Sequence, residues 1–197
     1  FLCVGSNLET SKQAVEIANK YPNVYAAVGF HPTEINDLSE EDFYSTLNLC
    51  SNSKVVAIGE IGLDYHWVKD PILREIQQEY FKRQIIFANE HKLPISIHSR
   101  DANEDTLKIL KEVTPKYGGI MHCYAGSYES ALEFIKLGFL LGFGGTTTFK
   151  NSVRPKEVVA NIPSNSYVLE TDAPYLTPEP FRGQPNHSKY LYLVRNK

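Results

Sequence analysis

The sequence predicts an α/β fold of the (β/α)8 TIM-barrel type, and three observations carry the prediction. Short apolar runs rich in β-branched residues alternate with amphipathic helical stretches along the whole chain. No long linker or low-complexity segment interrupts them, so they read as parallel strand–helix repeats of a single domain, residues 1–197. An open doubly wound sheet would ordinarily carry a glycine-rich phosphate turn after an early strand, and no Gly-x-Gly-x-x-Gly segment occurs.

The elements follow in order. Phe1–Val4 reads as a buried strand, and Thr10–Tyr21 as a helix with Ala14, Val15, Ile17 and Ala18 on one face. Strand Val24–Val28 precedes a helix over Ser39–Cys50, where Ser39 and Asp42 have the spacing of a capping box. Strand Val55–Gly59 precedes the longest helix, Pro71–His91, whose opening proline suits a first helical turn. His91, at its far end, reads as a structural residue favoured by the helix dipole. Then come strand Ile95–Ile97, helix Asp101–Val113, strand Gly119–Met121, helix Ser127–Leu137, strand Phe139–Gly142, helix Arg154–Ile162, strand Tyr167–Leu169 and a helix from Ser188 onward. These seven strands cannot close an eight-stranded barrel, so an opening strand is expected ahead of Phe1. The chain begins without an initiator methionine inside a strand and stops inside a helix, and both ends read as cut.

Composition narrows the class. With 42% hydrophobic and 22% charged residues in 197, the chain can bury a substantial core, and disorder is excluded. No apolar run approaches the roughly eighteen residues needed to cross a bilayer, and no signal-peptide pattern opens the chain, so no membrane association and a cytoplasmic location are expected. Cys3, Cys50 and Cys123 are odd in number and widely spaced, which reads as reduced packing residues. A net charge of −3 excludes nucleic-acid binding by phosphate neutralisation alone, so any such affinity must be local.

The C-terminal ends of the strands carry the chemistry. Strand Val24–Val28 runs into Gly29-Phe30-His31-Pro32, Val55–Gly59 into Glu60, Ile95–Ile97 into His98, Gly119–Met121 into His122, and Tyr167–Leu169 into Glu170-Thr171-Asp172. In a parallel barrel these ends converge on one rim, where catalytic groups are expected. Imidazole nitrogens and carboxylate oxygens there suit a divalent-metal site built from Glu60, His98, His122 and Asp172. A lone histidine at a strand end is ordinarily structural, and the repetition of the position on several strands is what favours a site. His31 is read as orienting substrate or capping its loop.

The segments Gly29-Phe30-His31-Pro32, Gly59-Glu60-Ile61-Gly62-Leu63-Asp64-Tyr65, Pro94 to Ala102 around His98-Ser99-Arg100-Asp101, Met121-His122-Cys123-Tyr124 and Leu169-Glu170-Thr171-Asp172-Ala173-Pro174-Tyr175-Leu176 together resemble the TatD-like deoxyribonuclease family, in order and spacing, over essentially the whole chain. Phe181-Arg182-Gly183 is similar to that family's arginine–glycine loop, whereas Gln184-Pro185-Asn186-His187-Ser188 stands where Asn-Glu-Pro is more usual. The resemblance implies a metal-dependent nuclease on an amidohydrolase-like TIM barrel, with two divalent ions (Mg²⁺, Mn²⁺ or Zn²⁺). It implies that Glu60 bridges the ions, that His98 and His122 complete one site, and that Asp172 belongs to the other. That second site also calls for a His-x-His pair on the first strand, which this sequence lacks, in keeping with the strand expected ahead of Phe1.

The expected activity is hydrolysis of DNA phosphodiesters, with Glu60 and Asp172 as catalytic carboxylates and Asp172 accepting the proton of the attacking water. Arg100 and Arg182 are expected to hold phosphate oxygens, the alternative being salt bridges, and His66 to contact phosphate or leaving group. Tyr65, Trp67, Tyr124 and Tyr175 read as base-stacking or packing residues. Stacking surface with few cations favours single strands or strand ends as the partner, and exonuclease action. The glycine-rich run Gly142–Lys150 reads as a place where backbone approaches the site closely. Two other readings remain: an ester or amide hydrolase, such as a deacylase acting on mischarged transfer RNA, and a non-catalytic binding module.

Overall fold

The computed structural model of the chain describes residues 1–36 and 38–197, which form two compact units, Phe1–Gly119 and Ile120–Lys197. In the first, β1 (Leu2–Val4), α1 (Leu8–Lys20), β2 (Tyr25–Val28), α2 (Glu40–Leu47), β3 (Val55–Asp64), α3 (Pro71–Glu90), β4 (Ile95–Arg100) and α4 (Asn103–Glu112) alternate, with short 3-10 turns at Pro32–Glu34 and Asn48–Ser51. The four strands pair in parallel in chain order.

Local chemistry fixes these boundaries. Asn7 and Thr10 close a reciprocal capping box at the start of α1, Ser39 accepts the Asp42 N–H at 3.0 Å, and Asp70 accepts the Ile72 N–H at 2.8 Å ahead of Pro71. His91 closes α3 as the sequence suggests, with its ring 3.9 Å from that of Phe87 and Nδ1 2.9 Å from the Phe87 carbonyl. Arg83 ties α3 to α2: its guanidinium lies 4.3 Å from the Phe43 ring centroid and meets both oxygens of Glu40, at 2.8 and 2.6 Å. The core holds Ala27, Val28, Ile58, Ile61, Leu63, Phe81, Ile85 and Ile97, all buried, with α3 packed on β3.

One strand differs instructively from its expected limits. β3 was expected to stop at Gly59, where the apolar run ends, yet it continues to Asp64 and pairs Ile61–Asp64 with Ile97–Arg100 of β4. Its register shifts between Ile58 and Ile61, the signature of an extra residue that re-aims the side chains beyond it. Gly62 makes the extension possible: it sits opposite His98 with φ of +141°, and a Cβ there would overlap the His98 carbonyl oxygen.

The second unit contains β5 (Gly119–Met121, whose first residue closes the first unit), α5 (Tyr128–Lys136), β6 (Phe139–Phe143), α6 (Arg154–Asn161), β7 (Tyr167–Leu169) and α7 (Leu191–Arg195), with 3-10 turns at Gly145–Thr148 and Ser188–Tyr190. β6 and β7 pair in parallel. Phe134, Phe139, Leu141, Phe143 and Val158 are buried, and the Tyr124 ring meets those of Phe134 and Phe143 edge-on. Among the described residues no helix is long and apolar enough to cross a membrane.

Candidate metal centre

In the first unit, the period-two alternation of β3 puts Glu60, Gly62 and Asp64 on one face, and His98 of β4 lies opposite the glycine. The imidazole of His98 thus spans two carboxylates: Nδ1 is 2.9 Å from Glu60 Oε1, and Nε2 is 2.9 Å from Asp64 Oδ2. His31 joins them from the turn after β2, with Nε2 3.9 Å from Glu60 Oε1 and its ring centroid 4.3 Å from that of His98. Its Nδ1 is engaged by Thr33, at 2.7 Å from the hydroxyl and 3.2 Å from the N–H.

The electrostatics of this group follow from burial and from the pairs. Burial, helped by the neighbouring His98, lowers the His31 pKa to about 4, so the ring is neutral at pH 7. Burial alone would lower His98 as well, but the hydrogen bonds and charges of Asp64 and Glu60 outweigh it and the pKa is raised. Asp64 is 1% exposed; burial opposes its ionised form, yet the His98 ring and the Trp67 N–H bring its pKa below the ordinary value.

The donor set fits a divalent ion. His31, Glu60 and His98 each offer one ligand atom, and these atoms lie within 4.8 Å of one another. Donors sharing one ion at ordinary Zn–N and Zn–O lengths sit about 3 to 4 Å apart, so closing this group requires only small movements. The sequence left His31 to orient substrate or to cap its loop; the ring does cap the turn, accepting the Thr33 N–H, and its other nitrogen also stands among the candidate ligand atoms.

In the second unit, His122 is held between two carboxylates in a similar way, with Nδ1 2.9 Å from Glu170 Oε2 and Nε2 3.2 Å from Asp172 Oδ1. Glu170 accepts the Cys123 N–H at 2.6 Å and packs its carboxylate against Gly142, where a Cβ would come 2.5 Å from Oε2. That contact is the close backbone approach expected of the glycine-rich run. Asp172 occupies the left-handed region at φ of +54°. Its loop is clamped by buried Asn186, whose amide donates to the carbonyls of Thr171 (2.5 Å) and Tyr175 (2.7 Å).

The other candidates divide. Arg100 is exposed with its guanidinium 5.6 Å from the Trp67 ring centroid, and Arg182 lies 3.7 Å from that of Phe149. Neither forms an ion pair among the described residues, so the salt-bridge alternative is not realised. His66 Nδ1 is 3.2 Å from Asp101 Oδ2. Of the four aromatic residues, Trp67 is 68% and Tyr175 70% exposed, whereas Tyr65 and Tyr124 are packing residues. Tyr65 donates its hydroxyl to Asp105 and Tyr124 to the Ser127 carbonyl, both at 2.7 Å. Asp64, Glu170 and Asn186 were given no role from sequence. For Asp64 a signal existed in the Glu60-x-Gly62-x-Asp64 spacing, which sets two carboxylates around a gap on one strand face.

Comparison with known proteins identifies the family. The sequence signature of the family described as TatD related DNase matches residues 1–197. An uncharacterised metal-dependent hydrolase of Bacillus subtilis (strain 168), YabD, is 50% identical over 192 residues, covering 97% of this chain and 74% of that protein. YcfH of Escherichia coli (strain K12), also described as an uncharacterised metal-dependent hydrolase, is 35% identical over 186 residues, 94% of this chain and 69% of its own length. Among solved structures, the TatD homologue YJJV from Escherichia coli K12 superposes with a TM-score of 0.91 at 33% identity, covering 98% of this chain and 74% of that one. A hydrolase of the TatD family from Entamoeba histolytica gives 0.77 at 32% identity, over 89% of this chain and 60% of that one. The fold is accordingly α/β of the TIM-barrel type, and the chain belongs to the TatD family of metal-dependent hydrolases.

Proposed function

We propose that the protein hydrolyses phosphodiester bonds of DNA, preferring single strands or strand ends and acting as an exonuclease. The observation that carries this reading is the His31–Glu60–His98 donor group on the same strand ends that present exposed Trp67 and Arg100. The family's description as TatD related DNase supports it.

In this reading the cofactors are two divalent ions, Mg²⁺, Mn²⁺ or Zn²⁺. When bound, such ions lower the pKa of water toward neutrality and offset charge on phosphodiester oxygens. The protein's own groups do the rest. Glu60, whose Oε1 faces both the His31 and the His98 ring, would supply the carboxylate shared by the ions, and His31 and His98 would supply nitrogen donors. In the second unit His122 and Asp172 present a nitrogen and an oxygen of their own, the ring held by Glu170 and the Asp172 loop by Asn186. Asp172 also accepts the proton of the attacking water. Arg100 and Arg182 place planar forks of donors for phosphate oxygens. Trp67 and Tyr175 give rings on which unpaired bases stack, a contact indifferent to base identity and compatible with the modest net charge of −3.

The test is a comparison of substrates: single-stranded DNA, duplex DNA, aminoacylated RNA and simple esters, each with and without chelator and with Mg²⁺, Mn²⁺ or Zn²⁺ restored. Chelator-sensitive release of nucleotides from single strands is the expected result. Turnover of aminoacylated RNA or esters with DNA left intact would move the assignment to the deacylase class.

A further inference from the structure

We propose that Asp64 is a positioning residue for the ion-binding group: it holds His98 with Nε2 protonated and Nδ1 directed to the ion, and its second oxygen fixes the loop that carries Trp67. The proposal rests on the reading of Glu60 and His98 as ion ligands given above.

The geometry is specific. Asp64 is 1% exposed, and its Oδ2 lies 2.9 Å from His98 Nε2 while its Oδ1 accepts the Trp67 N–H at 2.8 Å. The backbone that aims this carboxylate is itself braced by Gln77 of α3, which is fully buried. Gln77 accepts the Asp64 N–H at 2.9 Å and donates to the carbonyls of Asp64 (3.3 Å) and Pro32 (3.1 Å). Pro32 follows His31, so a single glutamine ties the turn bearing one candidate ligand to the strand end that orients another.

A neutral imidazole has one N–H and one lone pair. A buried carboxylate at Nε2 can only accept, so it selects the Nε2–H form and leaves the Nδ1 lone pair on the side of Glu60, where an ion held by that carboxylate would lie. Both partners of Asp64, the His98 ring and the Trp67 backbone, are donors. An amide in its place offers one acceptor and one donor, so Asp64→Asn must set an N–H against one of them. The substitution keeps size and shape while exchanging the second acceptor for a donor and removing the charge.

Zn²⁺ alone is the probe. In competition with a chelating dye, Asp64→Asn and Asp64→Ala are expected to bind it about 10- to 100-fold more weakly than the wild type, the usual effect of losing the partner of a ligating histidine. Trp67 is the only tryptophan in the sequence, so its emission reports on the loop and is expected to differ between the folded variants and the wild type. Wild-type affinity in both folded variants would overturn the proposal while leaving the ligand assignment standing. Failure of the wild-type protein to bind Zn²⁺ would overturn both. Should neither variant fold, nitrogen NMR of the Zn²⁺-loaded wild type decides: a retained Nε2–H on His98 supports the proposal, and ligation through Nε2 overturns it.

Discussion

His122 Nδ1 lies 2.9 Å from Glu170 Oε2, and the other oxygen of Glu170 accepts the Cys123 N–H at 2.6 Å. One carboxylate therefore orients the ring that faces Asp172 and satisfies the peptide beside it. Replacing it by alanine removes both contacts, and hydrogen bonds to a charged group are worth about 1.5–3 kcal/mol each. Glu170→Ala is expected to lower the urea midpoint and to reduce hydrolysis, and Glu170→Gln, which keeps one acceptor, to do less of each. Equal stability of Glu170→Ala and wild type would show that the Glu170 contacts contribute little.

Gly62 is expected to be irreplaceable for a different reason. Its φ of +141° suits glycine, and a methyl group would collide with the His98 carbonyl across the strand pair. Gly62→Ala should destabilise the protein by more than about 2 kcal/mol, or prevent folding, because neither strain nor overlap can be relieved without parting β3 from β4. A thermal midpoint within a degree of wild type would contradict this.

Much of this was legible in the sequence because strand and helix periods differ so plainly. Gly119–Met121 and Tyr167–Leu169 have the limits their apolar runs suggested, and the helices begin at the caps that Ser39 and Pro71 announce. The extension of β3 was not legible, since Glu60 and Gly62 interrupt the apolar run and the pairing that continues through them depends on a partner strand more than thirty residues later. For the same reason Asp64 went without a role: its partner, His98, becomes adjacent only through the register. A Gly-Phe-His-Pro turn offers a ring that can cap the loop, as His31 does through Nδ1, but says nothing of where its other nitrogen points. Tyr65 and Tyr124 could not be told from Trp67 and Tyr175 without knowing which rings find a hydroxyl partner inside.

Glu60 makes the sharpest test of the ligand group. Its side chain is 19% exposed and its N–H is satisfied by the Gly5 carbonyl, so Glu60→Ala should leave the fold intact. Ion binding is expected to fall by more than the roughly 10–100-fold that loss of an outer partner causes, with hydrolysis falling alongside. Circular dichroism and dye competition on the same sample separate the two effects; a folded variant with unchanged affinity would remove Glu60 from the ligand set.

Ion binding should also depend on pH with a definite sign. His31, lowered to about 4, is already neutral near pH 7, but His98, with its raised pKa, must release its proton before Nδ1 can ligate. Affinity is therefore expected to rise about tenfold per pH unit until the raised His98 value is passed and then to level off. Titration calorimetry in buffers of different ionisation enthalpy would count the proton. The ion-free protein should respond in two opposed ways. The His98 contribution to stability is complete below pH 6.5 and is lost as pH rises through its raised value, whereas neutral His31 destabilises the fold as pH falls from 6.5 toward 4. Affinity independent of pH from 5 to 9 would mean that His98 is not a ligand.

Exposure separates aromatic residues that serve substrate from those that serve the core. Trp67 is 68% exposed, its ring lies 5.6 Å from the Arg100 guanidinium, and its backbone rather than its ring is held by Asp64. Trp67→Ala should leave thermal stability nearly unchanged and weaken single-stranded oligonucleotide binding by about 1–3 kcal/mol, the worth of one stacked base. Tyr124 is 4% exposed and packed against Phe134 and Phe143, so Tyr124→Ala should cost about 3 kcal/mol of stability. Its effect on binding should be no greater than unfolding explains. Fluorescence anisotropy with a labelled oligonucleotide, alongside urea denaturation, measures both quantities for both variants. If Trp67→Ala bound single strands as tightly as the wild type, the ring would be an exposed surface residue with no part in holding a base, and the preference for single strands would lose its main support.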